Sequence, residues 1–276
     1  MKTRIITAAV GLPVLLVLLL AAPLWAFGTA VGVICTIAAY ELMHMALGPG
    51  PKRMYISTML CALAMPVAFS LGVEFSWGVG MLLFLFFLLS IEQMVSYSGR
   101  WRITLSMIAI AMLAGGVLPM MLSTLLRIGL IEKVGRVRML LPFVIAFGSD
   151  TGAYFVGMFW GKQKLAPHIS PKKTLEGAIG GVVAGGLCAL IYGIVLILCG
   201  FGVNLVSLTL FGLIGSVIAQ LGDLTFSAFK RQYDIKDYGK LLPGHGGALD
   251  RFDSLYYLAP LTEVWIAMAP AIWAKG

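Results

Sequence analysis

The residues that could do chemistry in this 276-residue chain crowd into its C-terminal half, where all six aspartates lie: Asp150, Asp223, Asp234, Asp237, Asp250 and Asp253. Their densest stretch is QLGDLTFSAFKRQYDIKDYGKLLPGHGGALDRFDS, from Gln220 to Ser254. On a helix Asp223, Ser227, Lys230 and Arg231 stand at i, i+4, i+7 and i+8 and share one face, a carboxylate and a hydroxyl followed by two cations. Such a face can hold both a metal ion and a phosphate. PGHGG, from Pro243 to Gly247, predicts a flexible turn that brings backbone amides and His245 close to a ligand, and Asp250 and Asp253, three apart, open the last apolar segment. For His245, holding the turn or a phosphate and acting as a general base both stay open. Carboxylates beside lysines and glycine turns suit Mg²⁺, a hard cation that takes oxygen ligands and keeps substrate phosphates in its shell. Zinc is disfavoured, because none of the three histidines is spaced with another His or Cys as a ligand pair.

Two further segments lie upstream. Asp150 sits in FGSDTGAYFVG, inside an otherwise apolar run. A charge at membrane depth costs at least about 2.5–3.5 kcal/mol, which makes Asp150 and Asp223 functional-site candidates by default. Gly148, Gly152 and Gly157 let another backbone or a ligand approach; helix packing around a water-solvated aspartate is the alternative. Then comes GKQKLAPHISPKKTLEG, in which Pro167 and Pro171 are expected to break regular structure. Ser170, Lys172, Lys173 and Thr174 supply donors just before Glu176 and a glycine-rich helix. This reads as a phosphate-binding loop, adjacent lysines and the free N–H groups of a helix start both favouring anions. A basic cytoplasmic loop that only sets topology fits it too. It is not a Walker loop, since GxxxxGK[ST] is absent.

The elements that must position these residues are membrane helices. The chain is 60% hydrophobic and 12% charged, with a mean hydropathy of +0.96, and such a composition needs lipid as its solvent. Runs of about 20 apolar residues recur throughout. About nine spans are expected: Ile5 to Leu24, Trp25 to Leu47, Met54 to Gly72, Phe75 to Ile91, Ile103 to Leu126, Met139 to Trp160, Gly177 to Gly200, Leu205 to Leu221 and Leu255 to Trp273. The first is read as a retained helix, because nothing resembling a cleavage site ends it. With the N-terminus in the cytoplasm, 15 of the 20 basic residues face that side, but Arg127, Lys133, Arg136 and Arg138 fall on the other, in conflict with the positive-inside rule. Cys35, Cys61, Cys188 and Cys199 lie in apolar spans without paired spacing and read as packing residues. Glu41 and His44, three apart, read as an interfacial pair facing headgroup water, with a buried polar pair as the alternative and no catalytic role. Residues 1–138 form the expected scaffold of N-terminal transmembrane helices, and 139–276 the expected catalytic region.

The run SAFKRQYDIKDYGKLLPGHGGALDRFD, from Ser227 to Asp253, resembles the signature of the phosphatidate cytidylyltransferases, the CDP-diacylglycerol synthases: S, two residues on K-R, then K-D, H-G-G and D-R-x-D. SDTGAY and SPKKTLEG look like that family's too. The resemblance implies an all-α polytopic membrane enzyme with a cytoplasmic-face site, in which a phosphatidate oxygen attacks the α-phosphorus of CTP. It implies Asp223 and Asp250 as Mg²⁺ ligands assisted by Asp253 or Asp237, and Lys230, Arg231, Lys172 and Lys173 on phosphates. Asp150 serves the nucleotide or a second, monovalent cation. Ser170, Glu176, Ser227, Lys236, His245, Gly246, Gly247 and Arg251 fill the rest of the substrate site. Its partners are CTP, phosphatidic acid and membrane lipids, with no nucleic acid and room for a homodimer, and its expected place is a bacterial inner membrane. An ion-coupled transporter is the reading from another class, but the hydrophilic stretch from Lys230 to Asp253 and the lack of an internal repeat argue against it. The D-G-x-x-A-R motif of CDP-alcohol phosphotransferases is not present.

Overall fold

Helix boundaries follow the apolar runs. The computed structural model describes residues 13–98, 102–131, 133–239 and 246–274. Residues 13–20 are the described part of α1. Then follow α2 (Leu24–Leu47), α3 (Lys52–Ser70), α4 (Phe75–Ser96), α5 (Leu105–Met112), α6 (Leu118–Gly129), α7 (Gly135–Trp160), α8 (Leu175–Leu198), α9 (Leu205–Gln232) and α10 (Leu249–Met268). A π-helical turn, Leu113–Val117, runs α5 into α6 as one rod. Antiparallel pairs join β1 (Lys164–Ala166) to β2 (Ser170–Thr174) and β3 (Phe201–Val203) to β4 (Ile272–Ala274).

Among the described residues seven helical stretches are long and apolar enough to cross a membrane: α2, α3, α4, the α5–α6 rod, α7, α8 and α9. The chain is an all-α integral membrane protein. Of the two other expected spans, the first lies partly outside the described residues, which begin at residue 13. The last is α10, 20 residues long but carrying Asp250, Arg251, Asp253 and Glu263. It ends at Met268 and not at Trp273, because residues 272–274 leave the helix to pair with β3. Helix α9 runs eleven residues past the expected Leu221: after Gly222, which lies inside the helix, no Pro or Gly interrupts the chain until Gly239, so the backbone stays helical after the apolar run has ended.

The chain divides into two compact units, Met1–Leu130 with Asp237–Arg251, and Ile131–Lys236 with Phe252–Gly276. In the first, α2, α3 and the α5–α6 rod pack around buried Val31, Cys35, Met65, Phe69, Leu122 and Leu125. Arg127 lies over the Phe75 ring, 4.6 Å from its centroid, a cation–π contact that uses its charge in packing.

In the second unit α8 is the central helix. Gly177, Gly181, Gly185, Ala189 and Gly193 recur every four residues and are buried, while Ile179, Val183, Leu187 and Ile191 form an exposed apolar stripe on another face. Small residues let backbones meet without side chains between them, and the apolar stripe is what lipid requires. A Cβ on Gly181 would stand 2.8 Å from the Ser149 carbonyl of α7, and one on Gly212 of α9 would stand 2.9 Å from the Gly185 carbonyl. Arg138 is buried and donates from Nε to the Ile272 carbonyl at 3.0 Å. Arg127 and Arg138, two of the four basic residues that conflicted with the positive-inside rule, are therefore committed to packing within the protein.

Candidate active site

The second unit brings three acids from three helices together. Asp150 (α7), Asp223 (α9) and Asp253 (α10) lie close enough that each aspartate's charge acts on the others, with Lys173 beside Asp150 and Lys230 beside Asp253. Two small residues permit this. Gly222 would place a Cβ 3.0 Å from the Asp253 carbonyl, so the absence of a side chain there lets α10 come close to α9 next to Asp223. Gly152 packs on Gly180 and Ala184, so α7 and α8 meet one turn from Asp150. Gly148 packs on Cys188 and Gly157 on Thr174 and Gly177. The glycines around Asp150 thus serve helix packing while the aspartate itself faces a cleft.

That cleft has a volume of about 340 Å³ and is lined by Asp150, Tyr154, Lys172, Lys173, Thr174 and Gln220 among others, which falls in the range of small-molecule sites. Lys173, which lines the cleft, donates from Nζ to Asp223 Oδ2. Ser227 Oγ donates to Asp223 Oδ1 at 3.3 Å, as the i, i+4 spacing requires. Arg231, farther along α9, is used differently: its guanidinium donates to the carbonyls of Ile169 at 3.1 Å and Ile235 at 2.8 Å. It ties the β1–β2 turn to the end of α9. Helix α9 stops where Asp234 takes a left-handed φ of 53° and Ile235 N–H returns to the Lys230 carbonyl at 3.0 Å, a C-terminal cap with an aspartate where glycine is commoner.

The lysine loop is a β-hairpin and not the irregular segment expected from its prolines. Pro167 sits in the turn and Pro171 within β2, where an edge strand tolerates the missing N–H. The first amides of the helix that follows already have acceptors. Leu175 N–H donates to the Gln163 carbonyl at 2.8 Å, Gly177 N–H donates to Thr174 Oγ1 at 3.1 Å, and Glu176 takes its own N–H. Glu176 accepts from the amides of Lys162 at 3.0 Å and Gln163 at 3.2 Å, so it fastens the hairpin's first strand. Ser170 opens β2, and Lys236 is exposed after α9.

In the first unit the other half of the signature is shaped by carboxylates on amides. Asp250 Oδ2 accepts from Tyr238 N–H at 2.9 Å and Gly247 N–H at 3.0 Å. Gly246 has a φ of +81°, and a Cβ there would stand 3.0 Å from Asp250 Oδ2 and 3.5 Å from Asp237 Oδ1. Asp237 and Asp250 thus flank one glycine. Arg251 is exposed in the first turn of α10. His245 lies outside the described residues.

Glu41 departs from expectation. It is buried, 6% exposed, and its two oxygens accept from Ala248 N–H at 3.1 Å and Leu249 N–H at 3.0 Å. It faces backbone donors and not headgroup water, and His44 stacks on Tyr40 instead of pairing with it. Gln220, to which the sequence alone assigns no part, donates from Nε2 to Ser149 Oγ at 3.2 Å and to the Ala178 carbonyl at 3.1 Å, joining α7, α8 and α9 at the cleft. A polar amide in an apolar span, three residues before Asp223, was the available signal.

Among the described residues no three Asp, Glu, His or Cys side chains converge to hold a metal. Asp223, Asp250, Asp253 and Asp237 therefore do not form a closed cage. Asp223 is taken by Lys173 and Ser227, Asp250 by two amides, and Asp253 Oδ1 by Ser254 N–H at 2.7 Å. Their all-oxygen chemistry nevertheless fits a cation that needs only one or two carboxylates and completes its shell with phosphates and water, as Mg²⁺ does.

Comparison with known proteins bears on all of this. The cytidylyltransferase family matches residues 2–269. The phosphatidate cytidylyltransferase of Staphylococcus haemolyticus is 48% identical over 126 residues, 45% of this chain and 47% of the relative. That of Bacillus subtilis is 45% identical over 138 residues, half of each chain, and that of Staphylococcus aureus strain COL is 47% identical over 126 residues, 45% of this chain and 47% of the relative. The chain spans about half the length of the curated relatives it matches.

Proposed function

The chain belongs to the cytidylyltransferase family, and from that premise we infer that it transfers a cytidylyl group from CTP to phosphatidate, forming CDP-diacylglycerol and pyrophosphate. The observation that carries the reading is the cleft of the second unit, lined by Asp150, Lys172 and Lys173, the last of which also donates to Asp223. A polyphosphate needs cations and a lipid needs a membrane, and this arrangement offers both in one unit.

In the reaction a phosphatidate oxygen forms a bond to the α-phosphorus of CTP while the bond from that phosphorus to the bridging oxygen of the β-phosphate breaks, and pyrophosphate departs with its electron pair. The attacking phosphate is already ionised, so no general base is required; catalysis is positioning and charge stabilisation. Lys172 and Lys173 hold the polyphosphate, with Lys230 beside Asp253. Asp223 and Asp253 would hold Mg²⁺, which when bound neutralises the phosphates and polarises the α-phosphoryl group. Asp150 is left for a second, monovalent cation or for the nucleotide. Asp250, with Asp237 beside it, is kept as a further oxygen ligand on the resemblance alone. When Lys173 turns to phosphate it releases Asp223, whose carboxylate would then be available to hold the metal. The site faces the cytoplasm of a bacterial inner membrane, where CTP is available.

The test is turnover by pure protein in detergent with phosphatidate, CTP and MgCl₂. Pyrophosphate and CDP-diacylglycerol should appear in equal amounts, and dCTP and other nucleotides define the base preference. Pyrophosphate without a cytidylylated lipid, or no turnover at all, overturns the reading.

A further inference from the structure

Glu41 comes from the N-terminal half, carries none of the chemistry above, and is buried. Its carboxylate spans two successive amides, Ala248 and Leu249, at the start of α10. Amides in a helix's first turn have no carbonyl one turn back, and the helix dipole makes that end electropositive. A carboxylate there satisfies two orphan donors at once, without a cation. A Cβ on Gly239 or Gly247 would collide with the Glu41 carboxylate, so backbone closes on it from both sides. Asp250, the next residue, accepts from Tyr238 and Gly247. The segment is thus clasped twice, by Asp250 from within and by Glu41 from α2.

We propose that Glu41 is a positioning residue, whose carboxylate fixes the N-terminus of α10 and with it Asp250 and the Gly246–Gly247 turn. Its effect on turnover rests on the cytidylyl-transfer reading; its effect on the backbone does not. Every contact named for it lies in that one segment, so its loss acts there first. Glu41→Gln keeps the shape but offers one carbonyl for two N–H groups and turns its own NH₂ toward a donor.

In detergent, Glu41→Gln should keep the wild-type elution volume and melting temperature while amide exchange in a peptide covering 246–250 rises about tenfold or more, the size expected for losing a hydrogen bond to a charged acceptor. The kcat for CTP with phosphatidate should fall about tenfold, with KM for CTP within about twofold, because the nucleotide-side lysines are untouched. Glu41→Asp, which keeps both oxygens, should recover part of the loss. Wild-type exchange across 246–250 in Glu41→Gln, or unprotected Ala248 and Leu249 amides in the wild type, overturns the proposal. So does an activity loss that tracks a lowered melting temperature with exchange raised along all of α2, which would mark a stability residue. Should Glu41→Gln not fold, Gly239→Ala displaces the carboxylate without removing its charge and must give the same exchange signature; an unchanged signature counts against the proposal. If the wild type transfers no cytidylyl group, the functional reading fails while the exchange result still decides this one.

Discussion

The two units use the same residue type in opposite ways. In the first, Glu41 and Asp250 take four backbone amides between them, from Tyr238, Gly247, Ala248 and Leu249. In the second, Asp150, Asp223 and Asp253 crowd one another and answer to side-chain cations, Lys173 and Lys230. An acid whose oxygens are filled by amides shapes the backbone. An acid set among other acids, balanced by a movable ammonium, is ready for a change of partner. The partner tells these roles apart; residue type and burial alone do not.

The sharpest way to break this contrast is Asp223→Asn. Removing one preorganised electrostatic group from a transfer site costs about 10²–10³ in kcat, so turnover should fall by that much while elution in detergent stays as in the wild type. A variant that misfolds but retains specific activity in its folded fraction would make Asp223 a structural acid like Glu41. Lys173→Ala comes next. A hydrogen bond to a charged group is worth about 1.5–3 kcal/mol, hence about 10- to 150-fold in kcat/KM for CTP. Lys172→Ala touches an exposed lysine with no fixed partner named, and should cost about two- to fivefold. Equal losses for the two would mean that the loop acts as a diffuse positive patch and that the Lys173–Asp223 pair has no special part.

How legible this was differs between the units for a physical reason. Local pattern carried the helices: apolar runs gave seven described spans to within a few residues at most ends, and the i, i+4 spacing foresaw Ser227 on Asp223. It failed where one helix outlasts its apolar run, as α9 does, because the backbone needs a breaker to stop and not a change of polarity. It failed at Pro171, whose ring fits an edge strand that proline scales do not foresee. Contacts between residues far apart in sequence were invisible. Glu41 meets amides more than two hundred positions away, and Arg138 meets the Ile272 carbonyl. No spacing rule connects such partners, and an isolated acid near a helix end reads as interfacial until its amides are seen.

A smaller effect sharpens the same contrast inside the second unit, where Glu176 belongs with the shaping acids. Its oxygens accept the Lys162 and Gln163 amides at an exposed site. Glu176→Gln should therefore change kcat/KM for CTP by no more than about threefold, with faster amide exchange confined to residues 162–166. A loss comparable with that of Lys173→Ala would move Glu176 into the substrate site.

The last prediction concerns sidedness and asks whether the second unit can work as one site at all. The hairpin precedes α8 and the turn after Gln232 follows α9, and each of these helices is long and apolar enough to span the bilayer, at 24 and 28 residues. Two crossings return the chain to the side it left. Position 164 in the hairpin and position 233 after α9 are both exposed, and neither has been given a part in the chemistry. Single cysteines placed by Lys164→Cys and Tyr233→Cys serve as reporters once Cys35, Cys61, Cys188 and Cys199 have been replaced. Those four are free thiols, two of them buried and Cys199 exposed at the end of α8, so replacing them breaks no disulfide. A membrane-impermeant thiol reagent should then label both reporters from the cytoplasmic face, and neither from the outside of sealed cells. If either α8 or α9 failed to cross, the two would label from opposite faces. The Lys173–Asp223 pair does not depend on which face labels, since it lies within one unit, but the supply of CTP does. Labelling of both from the outside would leave the helix count standing and remove the nucleotide from reach.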